Sequence, residues 1–163
     1  MKLVAGAQRF GRFLCAVVIV AFFAFTAQAA MAAQIERETL KGGGTLIGLS
    51  GDIESGDLAK FRKIAVEADR AMVLLDSEGG LTIEAIEIGK IIRLKGFYTL
   101  VTQESTCTSA CALIWLAGET RYLAPSAKVG FHATYVTSGS TRQESGVGNA
   151  VIGSYLGSLS LGQ

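Results

Sequence analysis

Ala71-Met72-Val73-Leu74-Leu75 is an unbroken apolar run, closed by Asp76 and followed at once by Ser77-Glu78-Gly79-Gly80. A run this short, stopped by a polar residue and a turn, suits a strand covered on both faces, as in a parallel sheet. The neighbouring segments supply what such a sheet needs. Thr45 to Gly51 reads as another strand. Ser55-Gly56-Asp57 reads as the cap of a helix from Leu58 to about Ala68, where Leu58, Phe61, Ile64, Ala65 and Ala68 recur at helical spacing. A second helix is expected from about Leu81 to Lys95, with Ile83, Ile86, Ile91 and Leu94 as its apolar face and Gly96 as its stop. Phe97 to Thr102 is the next strand, and the small-residue segment Ser105 to Ala112 leads into an apolar helix ending near Gly118. Strand-like pieces at Thr120–Leu123 and Lys128–His132 flank Pro125. The alternation of strand and helix predicts an α/β domain with right-handed crossovers. Ile35 to Lys41 reads as a polar lead-in and Thr137 to Gly148 as a loop, before a last helical stripe of Ala150, Val151, Tyr155, Leu156 and Leu159.

The first thirty residues follow a different logic. Lys2, Arg9 and Arg12 precede an apolar stretch over 13–25, and Ala27 and Ala29 then fit a small-residue cleavage pattern. This is the layout of a secretory signal peptide over 1–29, leaving one domain over 30–163. The rival reading is an uncleaved inner-membrane anchor through residues 13–25, but the strongly apolar part is shorter than the ~20 residues a spanning helix needs. Export predicts a periplasmic or secreted protein. It also permits pairing of the two cysteines that remain, Cys107 and Cys111. The 163 residues are enough for one core, and 50% hydrophobic against 18% charged residues is not the composition of a disordered chain. The net charge of +1 gives no footprint for nucleic acid.

Three features could carry chemistry. Gly79-Gly80 ends a strand and opens a helix, where backbone N–H groups can bind an oxyanion, although a tight turn also explains two glycines. Ser109 lies among small residues at a strand-to-helix junction, with the N–H of Ala110 beside it; the ordinary reading is an N-cap serine. His132, the single histidine, ends an apolar strand and could serve a serine as general base or simply pack there. Cys107 and Cys111 are four apart. If both lie on one helix their side chains run nearly parallel, so the expectation is two small buried residues, with a disulfide as the second reading. Two cysteines and one distant histidine fall short of a zinc set, and neither a metal nor another cofactor is called for.

Taken in order, Ser77-Glu78-Gly79-Gly80, Thr106-Cys107-Thr108-Ser109-Ala110-Cys111, and Leu123-Ala124-Pro125 with Val129-Gly130-Phe131-His132 resemble the ClpP/crotonase superfamily, and within it the ClpP proteases. The resemblance covers about Gly51 to Tyr135. It implies that Ser109 is the nucleophile, that His132 is the general base, and that Gly80 and Ala110 donate their N–H groups to the oxyanion. It also implies a peptide or protein substrate and a homo-oligomer. Glu78 stands where the family has proline, and the Ser109–His132 gap is slightly shorter than the family's. The family's third triad residue, an acid well downstream of the histidine, has no counterpart, since Glu144 is the only acid beyond His132. The Ser–Lys dyads of related membrane proteases are not expected, because no lysine follows Lys128. The domain therefore reads as truncated at its C-terminus, as working through a dyad, or as inactive. The expected function is an exported ClpP-like serine hydrolase of peptidase type. The alternative is a catalytically inactive binding or assembly module in the periplasm.

Overall fold

The computed structural model describes residues 33–161, so the segment read as a signal peptide or anchor lies outside the described residues. Five strands form the main sheet: β1 (Gln34–Thr39), β2 (Thr45–Ser50), β3 (Ala71–Asp76), β4 (Tyr98–Val101) and β6 (Arg121–Leu123), side by side in that order. β1 runs antiparallel to β2; the other neighbours are parallel. A helix lies on each parallel crossing: α1 (Asp57–Glu67), α2 (Thr82–Lys95) and α3 (Ala110–Leu116). The chain is an α/β fold, as the alternation of segments predicts.

The core lies on one side of the sheet. Ile47, Leu49, Val73, Leu75 and Val101 are buried there with Phe61, Ala65, Ile88, Ile92 and Ile114 of the helices. Met72 and Leu74, on the opposite face of β3, are only half-buried. The expectation of a strand covered on both faces is corrected in this respect: β3 alternates, and its apolar run records one buried and one partly covered face.

Other corrections have simple physical causes. The polar lead-in is strand β1, with Ile35 opposite Leu49 in the ladder. Its Glu36, Arg37 and Glu38 suit an edge that needs backbone pairing but little apolar cover. The turn before α1 is held from elsewhere. Gly56 is the N-cap at φ 98° without a side-chain cap, buried Asp57 accepts the Glu54 N–H at 2.8 Å, and Glu84 of α2 accepts the Leu58 N–H at 2.8 Å. On α2, Ile83 and Leu94 face solvent, while Ala85, Ile86, Ile88, Gly89 and Ile92 are buried. The small residues there admit close neighbours, and a Cβ on Gly89 would collide with the Tyr155 hydroxyl.

Beyond the sheet, β5 (Thr106–Thr108) pairs in parallel with β7 (Lys128–Gly130), and Ser77 bridges to Cys107, so this ladder grows from the end of β3. The expected loop over Thr137–Gly148 is an exposed hairpin, β8 (Tyr135–Ser138) and β9 (Thr141–Glu144), turning at Gly139 with φ 59°. α4 (Gly146–Ser158) follows, capped by the Ser145 hydroxyl on the Gly148 N–H. It docks through Tyr155, whose hydroxyl donates to the Leu113 carbonyl at 3.0 Å, and through buried Leu159. Half-buried Ile152 replaces the expected Val151 on that face. No helix among the described residues is long and apolar enough to cross a membrane.

Candidate active site

β5 and β7 end together, with Thr108 opposite Gly130 in the ladder. Ser109 and the Phe131-His132 pair therefore leave the same end of the same two strands. The ladder continues one step further, since the Ser109 N–H donates to the Gly130 carbonyl at 2.9 Å.

Ser109 is the N-cap of α3, yet its side chain makes no capping hydrogen bond. Its backbone sits at φ 56°, ψ −123°, a conformation that side-chain-bearing residues rarely adopt. An N-cap residue ordinarily has extended φ/ψ, from which the hydroxyl reaches back to the helix N–H groups. Here the turn aims the hydroxyl elsewhere, so the ordinary explanation for a serine at a helix start does not account for it. Strained backbone of this kind costs about 1–3 kcal/mol and concentrates at functional sites. A sharp strand-to-helix turn is also how hydrolases expose a nucleophilic serine.

The Gly79-Gly80 turn passes directly beneath. The Gly79 N–H is taken by the Ser77 hydroxyl at 3.1 Å. The Ile53 N–H donates to the Gly79 carbonyl at 2.7 Å, and the Leu81 N–H donates to the Ile53 carbonyl at 2.8 Å. In this parallel bridge the intervening residue, Gly80, turns its own N–H away from Ile53. Gly80 is exposed at φ 135°, and a Cβ on it would strike the Ile53 backbone. At α3, Ala110 is the first helical residue, and its N–H lies among those that a helix leaves without an internal partner.

Gly80, Ser109, Ala110 and His132 line one cleft of about 660 Å³, together with Leu113 and Arg142. His132 is exposed, and its Nδ1 lies 2.7 Å from the Ala133 carbonyl. A carbonyl can only accept, so Nδ1 carries the proton and Nε2 keeps a lone pair in the neutral ring. Behind His132, Asn149 Oδ1 accepts the Thr134 N–H at 2.9 Å, and Asn149 Nδ2 donates to Glu144 Oε1 at 2.6 Å. Glu144 thus braces the segment after the histidine. On the outer side of the turn, Thr108 Oγ1 lies 3.0 Å from Glu78 Oε2.

Cys107 and Cys111 form a disulfide, with Cα atoms 5.1 Å apart. The expectation of two unpaired buried residues rested on both lying in one helix. Cys107 belongs to β5 and Cys111 to the first turn of α3, so the sharp turn at Ser109 brings their side chains together.

No family model matches the sequence, and no match was found among curated proteins. Solved structures do match. The 1510-N membrane-bound stomatin-specific protease, as a serine-to-alanine mutant, superposes with a TM-score of 0.57 at 17% identity over 69% of this chain and 59% of its own. The ClpP protease catalytic domain from Plasmodium falciparum gives 0.51 at 14% identity over 66% and 62%. The fold is ClpP/crotonase-like. A putative enoyl-CoA hydratase from Rhodopseudomonas palustris, at 0.50 and 13% identity over 63% and 52%, marks the breadth of that group. The chain spans less than two thirds of the length of each of these three structures.

Thr134, Asn149 and Arg142 join the site without any mark in the sequence: they lie on or beside the hairpin and helix that follow His132, where no motif points to them.

Proposed function

We propose that the chain is an exported serine hydrolase of peptidase type acting through an acyl-enzyme. The observation that carries this reading is the positive-φ turn at Ser109, which withdraws the hydroxyl from its helix and leaves it in the cleft that His132 also lines. Ser109 Oγ attacks an amide carbonyl while His132 Nε2 accepts its proton. The Gly80 and Ala110 N–H groups stabilise the developing oxyanion. His132 returns the proton to the leaving amine, and water then releases the acyl group by the same steps in reverse. The Ala133 carbonyl takes the orienting place at Nδ1 that an acid holds in a triad. A neutral carbonyl stabilises an imidazolium less than a carboxylate does, and loss of a triad's orienting acid lowers turnover about 10⁴-fold while leaving residual catalysis.

Support for export comes from the sequence over 1–29, which points to the periplasm or exterior, with anchoring through 13–25 as the rival. By likeness of fold and motif, the substrate is a peptide or protein and the chain self-associates.

Labelling with a fluorophosphonate tests the mechanism. The intact chain is expected to be labelled at Ser109, and Ser109→Ala to abolish it. A folded chain that stays unlabelled at Ser109 overturns the reading in favour of a non-catalytic binding module.

A further inference from the structure

Arg142 of β9 lines the same cleft as Ser109 and His132, and no Asp or Glu among the described residues does. Its guanidinium lies 4.6 Å from the centre of the Tyr135 ring, and that ring lies 5.8 Å from the ring of His132. Stacking on an aromatic face steadies a guanidinium while leaving its N–H edge free for a planar anion. None of the ion pairs among the described residues involves Arg142. Two acids beside residues of the site are engaged elsewhere: Glu144 by Asn149 at 2.6 Å and Glu78 by Thr108 at 3.0 Å. Leu113, Ile152 and Leu156 give the same cleft an apolar part.

We infer that the cleft selects peptides carrying a carboxylate, held by Arg142, close to an apolar side chain that packs on Leu113, Ile152 and Leu156. This rests on the peptidase reading and adds to it a substrate class. The distances limit where the carboxylate sits. One aromatic ring separates the cation from the base, and an extended chain advances about 3.3–3.6 Å per residue, so the carboxylate falls within about three residues of the attacked carbonyl. A C-terminal carboxylate and an Asp or Glu side chain present the same chemistry.

Equilibrium binding to full-length Ser109→Ala protein separates this from hydrolysis. Four probes suffice: N-acetyl-Ala-Leu-Ala as free acid and as amide, and N-acetyl-Ala-Leu-Asp-Ala amide with its Asn counterpart. At least one acid is expected to bind tenfold or more tightly than its neutral partner; which pair does so identifies the terminal or side-chain source. Arg142→Gln is expected to bring that ratio close to one, and Arg142→Lys, which keeps charge but loses the two-pronged donor, to leave it in between. Equal affinity within both pairs, no binding by any probe, or a ratio unchanged by Arg142→Gln overturns the inference. Fluorophosphonate labelling of unsubstituted Ser109 is a separate readout, so the peptidase reading and this one fail independently.

Discussion

A side chain on Gly79 would run into Ser109, because a Cβ built there stands 2.6 Å from the Ser109 Cβ and 2.9 Å from the Thr108 carbonyl. Gly79 also holds φ 113°, which disfavours any side chain. Gly79→Ala is therefore expected to cost about 2–4 kcal/mol, from backbone strain and displacement of the Ser109 turn together. It should lower the melting temperature and abolish Ser109 labelling. Gly153→Ala is the contrast: that glycine lies within α4 with nothing near its Cβ position, so alanine there should gain about 0.5–1 kcal/mol. Thermal unfolding of both variants reads the difference.

Stability and activity should part company at Ser109. Glycine tolerates φ 56° where serine is strained, so Ser109→Gly is expected to stabilise the fold by about 1 kcal/mol while eliminating labelling. Ser109→Ala should eliminate labelling without that gain. A denaturant titration of the three proteins tests the ordering.

The disulfide closes a loop with a sequence separation of only 4, and Ser109 lies at its centre. Chain-entropy scaling assigns so short a loop about 2 kcal/mol, and much of its effect falls on the local turn. Cys107→Ala/Cys111→Ala is expected to remain folded while labelling of Ser109 slows by an order of magnitude or more. An unchanged labelling rate would assign the bridge to stability alone.

Asn149 holds the backbone two residues beyond His132 and is itself held by Glu144. Asn149→Ala should slow labelling about tenfold through a loosened imidazole. Asn149→Asp keeps the acceptor for the Thr134 N–H and should recover part of the rate, although it places a second carboxylate beside Glu144. Equal rates for the two variants would remove Asn149 from the positioning of His132.

Tyr155 sets an alkaline limit. Burial raises its phenol above the ordinary value of 10.0, with Arg93 opposing more weakly. Above pH 10 the unfolded chain loses this proton and the folded chain keeps it. Stability from this group is therefore complete below pH 10 and falls as pH rises, by up to about 1.4 kcal/mol per pH unit. Tyr155→Phe should flatten that slope, at a cost of about 1 kcal/mol for the lost bond to the Leu113 carbonyl. Urea unfolding at several alkaline pH values measures both.

What was legible beforehand follows burial. β2, β3, β4 and the helices between them announce themselves because a buried face leaves an apolar period in the chain. β1 and the β8–β9 hairpin are exposed, and their pairing is carried by backbone groups that any sequence possesses. The order Gly-Gly, Ser, His was enough to select residues that share one cleft. The positive φ at Ser109 was not legible and the disulfide stood only as a second reading, since both depend on where strand β5 gives way to helix α3. Arg142 was hidden for another reason: it lies on an exposed hairpin, and only the folded structure brings that hairpin to the cleft.

The pairing of β5 with β7 governs spacing in a way that loop lengths do not. Because Thr108 stands opposite Gly130 in the last rung, Ser109 follows one residue and His132 two residues beyond it, so the register of these two strands sets where the hydroxyl and the imidazole start relative to one another. A slip of one rung would shift one group about 3.3 Å past the other and turn its side chain to the opposite face. Insertions near Pro125 should therefore be tolerated far better than a single added residue within either strand.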